Sequence, residues 1–185
     1  MASTPSDKLV TVFGGSGFIG RQIVRSLAKR GYRIRVACRR PDLAGHVLPL
    51  GTPGQIALVQ ANLRYPASVA AACEGAHAVV NATGTDRSSG AQSFDAVVVF
   101  GSEAVAKAAR QAKADLMVMV SGMGASAESA SKASQAKAKA EAAAARCIGF
   151  GDHRGAVDDL PSSRKVRALD VFEQRRSVCI RLFDE

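Results

Sequence analysis

Short apolar runs alternate along this chain with stretches in which apolar residues return every third or fourth position, the pattern of strands alternating with surface helices. Leu9 to Phe13 is a continuous apolar run, suited to a buried strand. Beyond a glycine-rich turn, Ile19, Ile23 and Leu27 recur on one helical face, Arg21, Arg25 and Lys29 take another, and Gly31 stops the pattern. Ile34 to Cys38 then reads as a second strand, with Arg33 and Arg35 turned away from Ile34 and Val36. Gln55 to Gln60 predicts a third strand, and Pro66 suits the first position of a helix running through Val69 to Glu74. Ala76 to Ala82 predicts strand four with Asn81 at its carboxyl end, a helix follows from about Phe94 to Lys113, and Leu116 to Val120 is strand five. Strands separated by helical connections pair in parallel through right-handed crossovers. The expected fold class is therefore α/β, a doubly wound, Rossmann-like parallel sheet of order 3-2-1-4-5.

The pattern thins beyond Ser121. Ser126 to Arg146 is rich in Ala, Ser, Lys and Gln, and is helical from Ala133 onward with an apolar face made almost wholly of alanine. Such a face buries little area per residue and needs a close partner. The stretch GFGDHRGAVDDLPSSRK then reads as a loop, Val166 to Arg176 as a candidate helix, and Val178 to Phe183 as a candidate terminal strand.

Composition narrows the picture. At 185 residues and 47% hydrophobic, the chain has room for one core, and with 5% aromatics and no Trp that core relies on Ala, Val, Ile and Leu. No apolar run is long enough to span a bilayer, and the start MASTPSDKL has neither the basic end nor the apolar centre of a secretory signal, which predicts a cytosolic or organelle-matrix protein. Cys38, Cys73, Cys147 and Cys179 form no CxxC pair and predict reduced structural thiols, with no metal site. The net charge of +9 is concentrated: Arg21, Arg25, Lys29, Arg30, Arg33, Arg35, Arg39 and Arg40 carry no acid among them. That run suits phosphate, acidic protein or acidic lipid head groups, while the lack of interleaved aromatics makes nucleic acid an unlikely partner.

The candidate chemistry sits in VTVFGGSGFIG. Gly14, Gly17 and Gly20 fit GxxGxxG between an apolar strand and an amphipathic helix, where glycine allows a tight turn, lets a pyrophosphate meet backbone amides, and brings helix and strand close. A helix amino terminus adds unpaired N–H groups and positive potential. At the end of strand two, where an NAD site usually carries an acid for the ribose hydroxyls, this chain has Cys38-Arg39-Arg40. Two guanidinium groups there favour a 2′-phosphate, so the expected cofactor is NADP(H), preferred over NAD(H). Arg40 can equally belong to the solvated basic run. Asn62 after strand three is placed for the adenine amino group, and Asn81, Ala82 and Thr83 after strand four for the nicotinamide ribose side; each asparagine can instead cap nearby backbone. The domain assignment follows: a dinucleotide-binding domain over residues 1–146 and a divergent, loop-rich tail over 147–185.

The stretches TVFGGSGFIGR, RGYRIRVACRRPDLAGH, VQANLRYPASV, AHAVVNATG and FDAVVVFGSEAVAKAARQAKA, over about residues 9–141, resemble the extended and atypical short-chain dehydrogenase/reductase superfamily. More closely, the chain resembles the 39 kDa (NDUFA9-type) accessory-subunit family of respiratory complex I and its bacterial relatives. That resemblance implies a reductase fold recruited to hold a nucleotide, commonly NADPH, peripherally on the matrix or bacterial cytoplasmic side of the inner membrane, with complex I subunits as partners. It maps the phosphate turn onto Gly14, Gly17 and Gly20 with Phe18 and Ile19 between them, the 2′-phosphate contacts onto Arg39 and Arg40, and the adenine side onto Asn62 and Leu63.

Active members of the superfamily use a Tyr-x-x-x-Lys helix and a Ser or Thr after strand five. The tyrosine moves a proton as hydride transfers, and the lysine lowers its pKa while holding the ribose. The resemblance places Ser121 and Lys137 at the serine and lysine positions, as cofactor contacts and as the weak catalytic candidates, and leaves Ala133 where the tyrosine belongs. It also implies a sixth strand and a substrate-side lobe after the lysine helix, and Arg146 is followed by neither pattern, so the expectation is a sheet with its substrate lobe absent. The reading is thus a non-catalytic NADP(H)-binding accessory subunit of complex I. The alternatives are an active NADP-dependent short-chain-type reductase or isomerase with an unusual proton donor, and a regulatory binding protein that senses redox state.

Overall fold

Six strands form one sheet in the order β3-β2-β1-β4-β5-β6. The computed structural model describes residues 5–85, 93–122, 125–148 and 178–184. β1 (Leu9–Phe13), β2 (Arg33–Cys38), β3 (Ile56–Gln60), β4 (Ala78–Asn81) and β5 (Leu116–Gly122) are all parallel, which realises the 3-2-1-4-5 order expected of the apolar runs. β6 (Val178–Asp184) joins the edge antiparallel to β5, with Val178 opposite Gly122. The candidate helix at Val166 to Arg176 lies outside the described residues.

α1 (Phe18–Lys29) covers one face of the sheet. Its buried residues are Gly20, Ile23, Val24 and Ala28, whereas Ile19 and Leu27 are only half-buried. The buried face is rotated from the expected stripe because Gly20 and Ala28, nearly devoid of side chain, let the helix axis approach the strands. Its end is a Schellman turn: Gly31 adopts φ +83°, and the N–H groups of Gly31 and Tyr32 donate to the carbonyls of Ala28 and Leu27. Short 3-10 turns at Pro41–Leu43 and Gly45–Leu50 continue along this face.

The opposite face carries α2 (Pro66–Cys73), α3 (Phe100–Gln111, entered through a π-turn at Asp95–Val99) and α4 (Lys132–Ile148). The alanine face of α4 finds the close partner it needs: Ala136, Ala140 and Ala144 share one core cluster with Val105, Ala108 and Ala109 of α3 and with Met117 and Met119 of β5. Arg110 of α3 donates to the Cys147 carbonyl (3.0 Å), which satisfies a backbone acceptor in the last turn of α4. Two residues of the sheet do the same for α2. Thr11 Oγ1 donates to the Ala72 carbonyl at 2.9 Å, and Arg35 Nη1 reaches the carbonyls of Ala72 and Glu74 at 2.8 Å. Arg35 is therefore a structural cap and drops out of the basic run as a ligand-facing group. Cys73, fully buried beside them, has its thiol pushed up to about 12 by burial and stays protonated.

Candidate nucleotide-binding site

Strand order reverses between β1 and β4, and in such sheets ligands lie in the crevice outside the carboxyl ends of the strands at that point. The residues after β1 form the floor of this crevice. Gly14 turns with φ +73° and donates its N–H to the Ala37 carbonyl (3.2 Å), and its own carbonyl accepts from Gly17 N–H (3.0 Å). A side chain there would strike the Ala82 carbonyl oxygen at 2.8 Å, so the turn is pressed against the end of β4. At Gly20 a Cβ would overlap the Gly14 carbonyl oxygen and lie 2.7 Å from Gly15 Cα. Gly17 precedes the first turn of α1 and caps it with no side chain, so the amide end of the helix is left without a side-chain cap. These are the features a pyrophosphate requires. The backbone segments come close, and the glycines put no side chain of their own into the turn.

At the end of β2, Cys38 is buried while Arg39 and Arg40 are exposed. The two arginines differ. Arg40 holds Asp42 through Nε (3.1 Å) and Nη2 (2.8 Å), and its guanidinium lowers the Asp42 carboxyl below the usual range while that hydrogen bond raises its own. Arg39 has no hydrogen bond or ion pair among the described residues.

The asparagines turn inward. Asn81 is 1% exposed, its Nδ2 donates to Ser102 Oγ of α3 (3.0 Å), and its Oδ1 accepts from Thr83 N–H (3.1 Å) and Thr83 Oγ1 (2.5 Å). Asn81, expected as a ligand contact, is buried and braces the end of β4 through these three bonds. Ala82 and Thr83, half-buried, sit against Gly14. Asn62 Oδ1 accepts from Arg64 N–H (3.1 Å), and Ser68 Oγ closes the same turn on the Asn62 backbone. Its carbonyl thus shapes the loop after β3. Leu63, next to it, packs on α3 at Gly101, where a Cβ would come within 2.6 Å of Leu63 Cδ1.

The far end of the crevice is built by β5 and α4. Ser121 shares the strand face of Met117 and Met119, is 3% exposed, and its Oγ has no hydrogen-bond partner among the described residues. Lys137 of α4 is half-buried and lies across the next residue: a Cβ on Gly122 would meet Lys137 Nζ at 2.7 Å. The lysine is held over the strand end, not dispersed among the solvated lysines of its helix. Ala133, one turn earlier on α4, offers no phenol.

Three contributors carry little sequence signal. Gly15, outside the GxxGxxG spacing, has no room for a side chain: a Cβ there would come within 2.9 Å of Val36 Cγ1 and 3.2 Å of Val24 Cγ2. Ser102 is a polar residue at a position whose helical period announces nothing. His46, in the turn Gly45–Leu50, lies 3.1 Å from the Ser16 carbonyl and 3.3 Å from the Leu43 carbonyl, its ring N–H donating to one of them, and so sits between the glycine turn and the segment after β2.

A parallel sheet with this switch point and this uncapped glycine turn defines a dinucleotide-binding protein of the Rossmann class. The chain belongs to the NAD(P)H-binding family, whose model matches residues 14–163. It is 30% identical over 117 residues to a ceramide reductase of Caulobacter vibrioides, covering 63% of this chain and 36% of that protein. It is 29% identical over 108 residues to the mitochondrial NADH-ubiquinone oxidoreductase 40 kDa subunit of Neurospora crassa, covering 58% of this chain and 29% of that subunit. The matched part thus spans about a third of these curated relatives. The fold is shared with Pen from Bacillus thuringiensis, at a TM-score of 0.65 and 21% identity over 81% of this chain and 50% of that one. Its relatives therefore include both a reductase and a subunit of respiratory complex I. No described helix is long and apolar enough to cross a membrane.

Proposed function

We propose that the chain is the nucleotide-holding part of an NADP(H)-dependent reductase of the short-chain type. One observation carries the reading: a buried Ser121 hydroxyl with no hydrogen-bond partner among the described residues, beside a lysine folded over the end of β5. An unpaired buried hydroxyl costs about 1–3 kcal/mol, a penalty that a polar ligand in the crevice would remove. The glycine turn and the amide end of α1 would receive the pyrophosphate, Arg39 the 2′-phosphate, and Lys137 Nζ the ribose hydroxyls beyond Gly122. Phe18, Ile19, Leu63, Ala82 and Thr83 would line the path between. Dihydronicotinamide supplies the hydride when bound. Ser121 Oγ would donate to the oxygen of the acceptor, and with Ala133 in place of a phenol it is the hydroxyl left to hold the proton there.

Two measurements test this. Replacing Arg39 by Ala is expected to weaken NADPH binding roughly tenfold to a hundredfold and leave NADH affinity nearly unchanged, since the lost contact is charge-assisted and specific to the 2′-phosphate. Equal losses for both nucleotides would remove the NADP(H) assignment. The wild-type chain is expected to oxidise NADPH with some member of a carbonyl and quinone panel, and Ser121→Ala to lose that turnover while keeping its NADPH affinity.

A second reading rests on Ala133. A site that binds NADP(H) and lacks the proton-moving phenol also suits a non-catalytic accessory subunit of a complex I-type assembly, held peripherally at the inner membrane. Tight NADPH binding with no turnover on any acceptor, and co-purification with the respiratory complex, would favour it over the reductase.

A further inference from the structure

We infer that the outer face of α1, with the turns beside it, docks on an anionic lipid surface. Phe18, Arg25 and Lys29 fall at spacings of seven and eleven residues and so share the stripe opposite the buried face, with Arg21 at its flank. All four are exposed, and no acid occurs anywhere in the helix. The contrast with α3 is instructive: there Lys107 is paired with Glu103 one turn away at 2.7 Å, whereas Arg25 and Lys29 have no ion pair among the described residues. Like charges at this spacing cost the isolated helix a little stability, which the helix dipole offsets only near Lys29 in the last turn.

Charge alone would suit any polyanion. The apolar neighbours narrow the class. Phe18 is 50% exposed, Leu43 66% and Leu48 44%. The His46 ring lies between the Leu43 and Ser16 carbonyls, its N–H donating to one of them, so the turn bearing Leu43 sits against the start of α1, and Gly45–Leu50 packs along the same helix. Exposed apolar side chains are thereby gathered at one end of a cationic stripe, and Arg21 lies over the Phe18 ring at 5.2 Å. A bilayer interface accepts that mixture in one plane, apolar tips among the acyl chains and cations at the head groups. A nucleic acid would gain little from two leucines.

The test is co-sedimentation of the purified chain with phosphatidylcholine vesicles, with and without phosphatidylglycerol, alongside duplex DNA as a competing polyanion. Binding is expected only to the anionic vesicles, to weaken as salt rises, and to survive excess DNA. Arg25→Glu with Lys29→Glu should lower the vesicle affinity by at least about tenfold. Leu43→Ser with Leu48→Ser should lower it several-fold with the charge unchanged. Both double variants should bind NADPH as the wild type does, which certifies their fold and keeps this surface separate from the nucleotide site. Equal binding to neutral vesicles, competition by DNA, or vesicle binding indifferent to either double variant would overturn the inference.

Discussion

Gly20→Ala is expected to be among the most damaging single substitutions in the chain. The added methyl would overlap the Gly14 carbonyl oxygen and press on Gly15 Cα at 2.7 Å, and both obstacles are backbone, which cannot rotate away. Either α1 lifts off the strand or the turn opens. Overpacking at such a contact costs about 3 kcal/mol, or roughly 10 °C in Tm for a domain of this size. The same displacement pulls the amide end of α1 from the crevice, so nucleotide affinity should fall with stability. Gly45→Ala is the matched control, because a Cβ there meets nothing within 4 Å. Thermal unfolding of the two variants reads the difference. A Gly20→Ala protein as stable as Gly45→Ala would mean that the helix and strand do not meet as closely as described.

The second large effect is at Asn81. Asn81→Leu keeps the branched shape at Cγ, adds some bulk, and removes the amide that joins Ser102 of α3 to Thr83 after β4. Losing the Ser102 bond in the buried site, the two half-buried Thr83 bonds and the fit of the amide is expected to cost about 3 kcal/mol in total. Ser102→Ala removes one bond and should cost about 1 kcal/mol. Urea denaturation should therefore rank wild type, Ser102→Ala and Asn81→Leu in falling order of stability. NADPH affinity should fall with Asn81→Leu as well, because the Ala82–Thr83 backbone that presses on Gly14 is no longer anchored. A reversed order would reduce Asn81 to a passive filler.

These two positions separate what periodicity reveals from what it hides. Gly20 is visible in the sequence because a chain going directly from buried strand to amphipathic helix leaves few places for three glycines at that spacing. Asn81 is visible only as a polar residue at a strand end. Whether it faces ligand or interior depends on Ser102, which arrives from a helix in another part of the chain. The arginines divide in the same way. Arg35 and Arg39 look alike in a basic run, yet one caps α2 and the other, exposed at the end of β2, has no hydrogen bond or ion pair among the described residues.

The sequence by itself determined the order of strands and helices, the parallel sheet, the position of the phosphate turn and the absence of a phenol at Ala133. Each is a local matter, set by side-chain period, by the backbone freedom of glycine, or by the identity of one residue. Only the tertiary structure decided that α4 docks through alanine on α3, that β6 closes the sheet antiparallel, that Asn81 braces β4 against α3, and that Lys137 leans over Gly122 beside a Ser121 with no hydrogen-bond partner among the described residues. Those outcomes depend on contacts between segments far apart in the chain, where the partner of a polar group is chosen by packing and has no trace in the pattern around it.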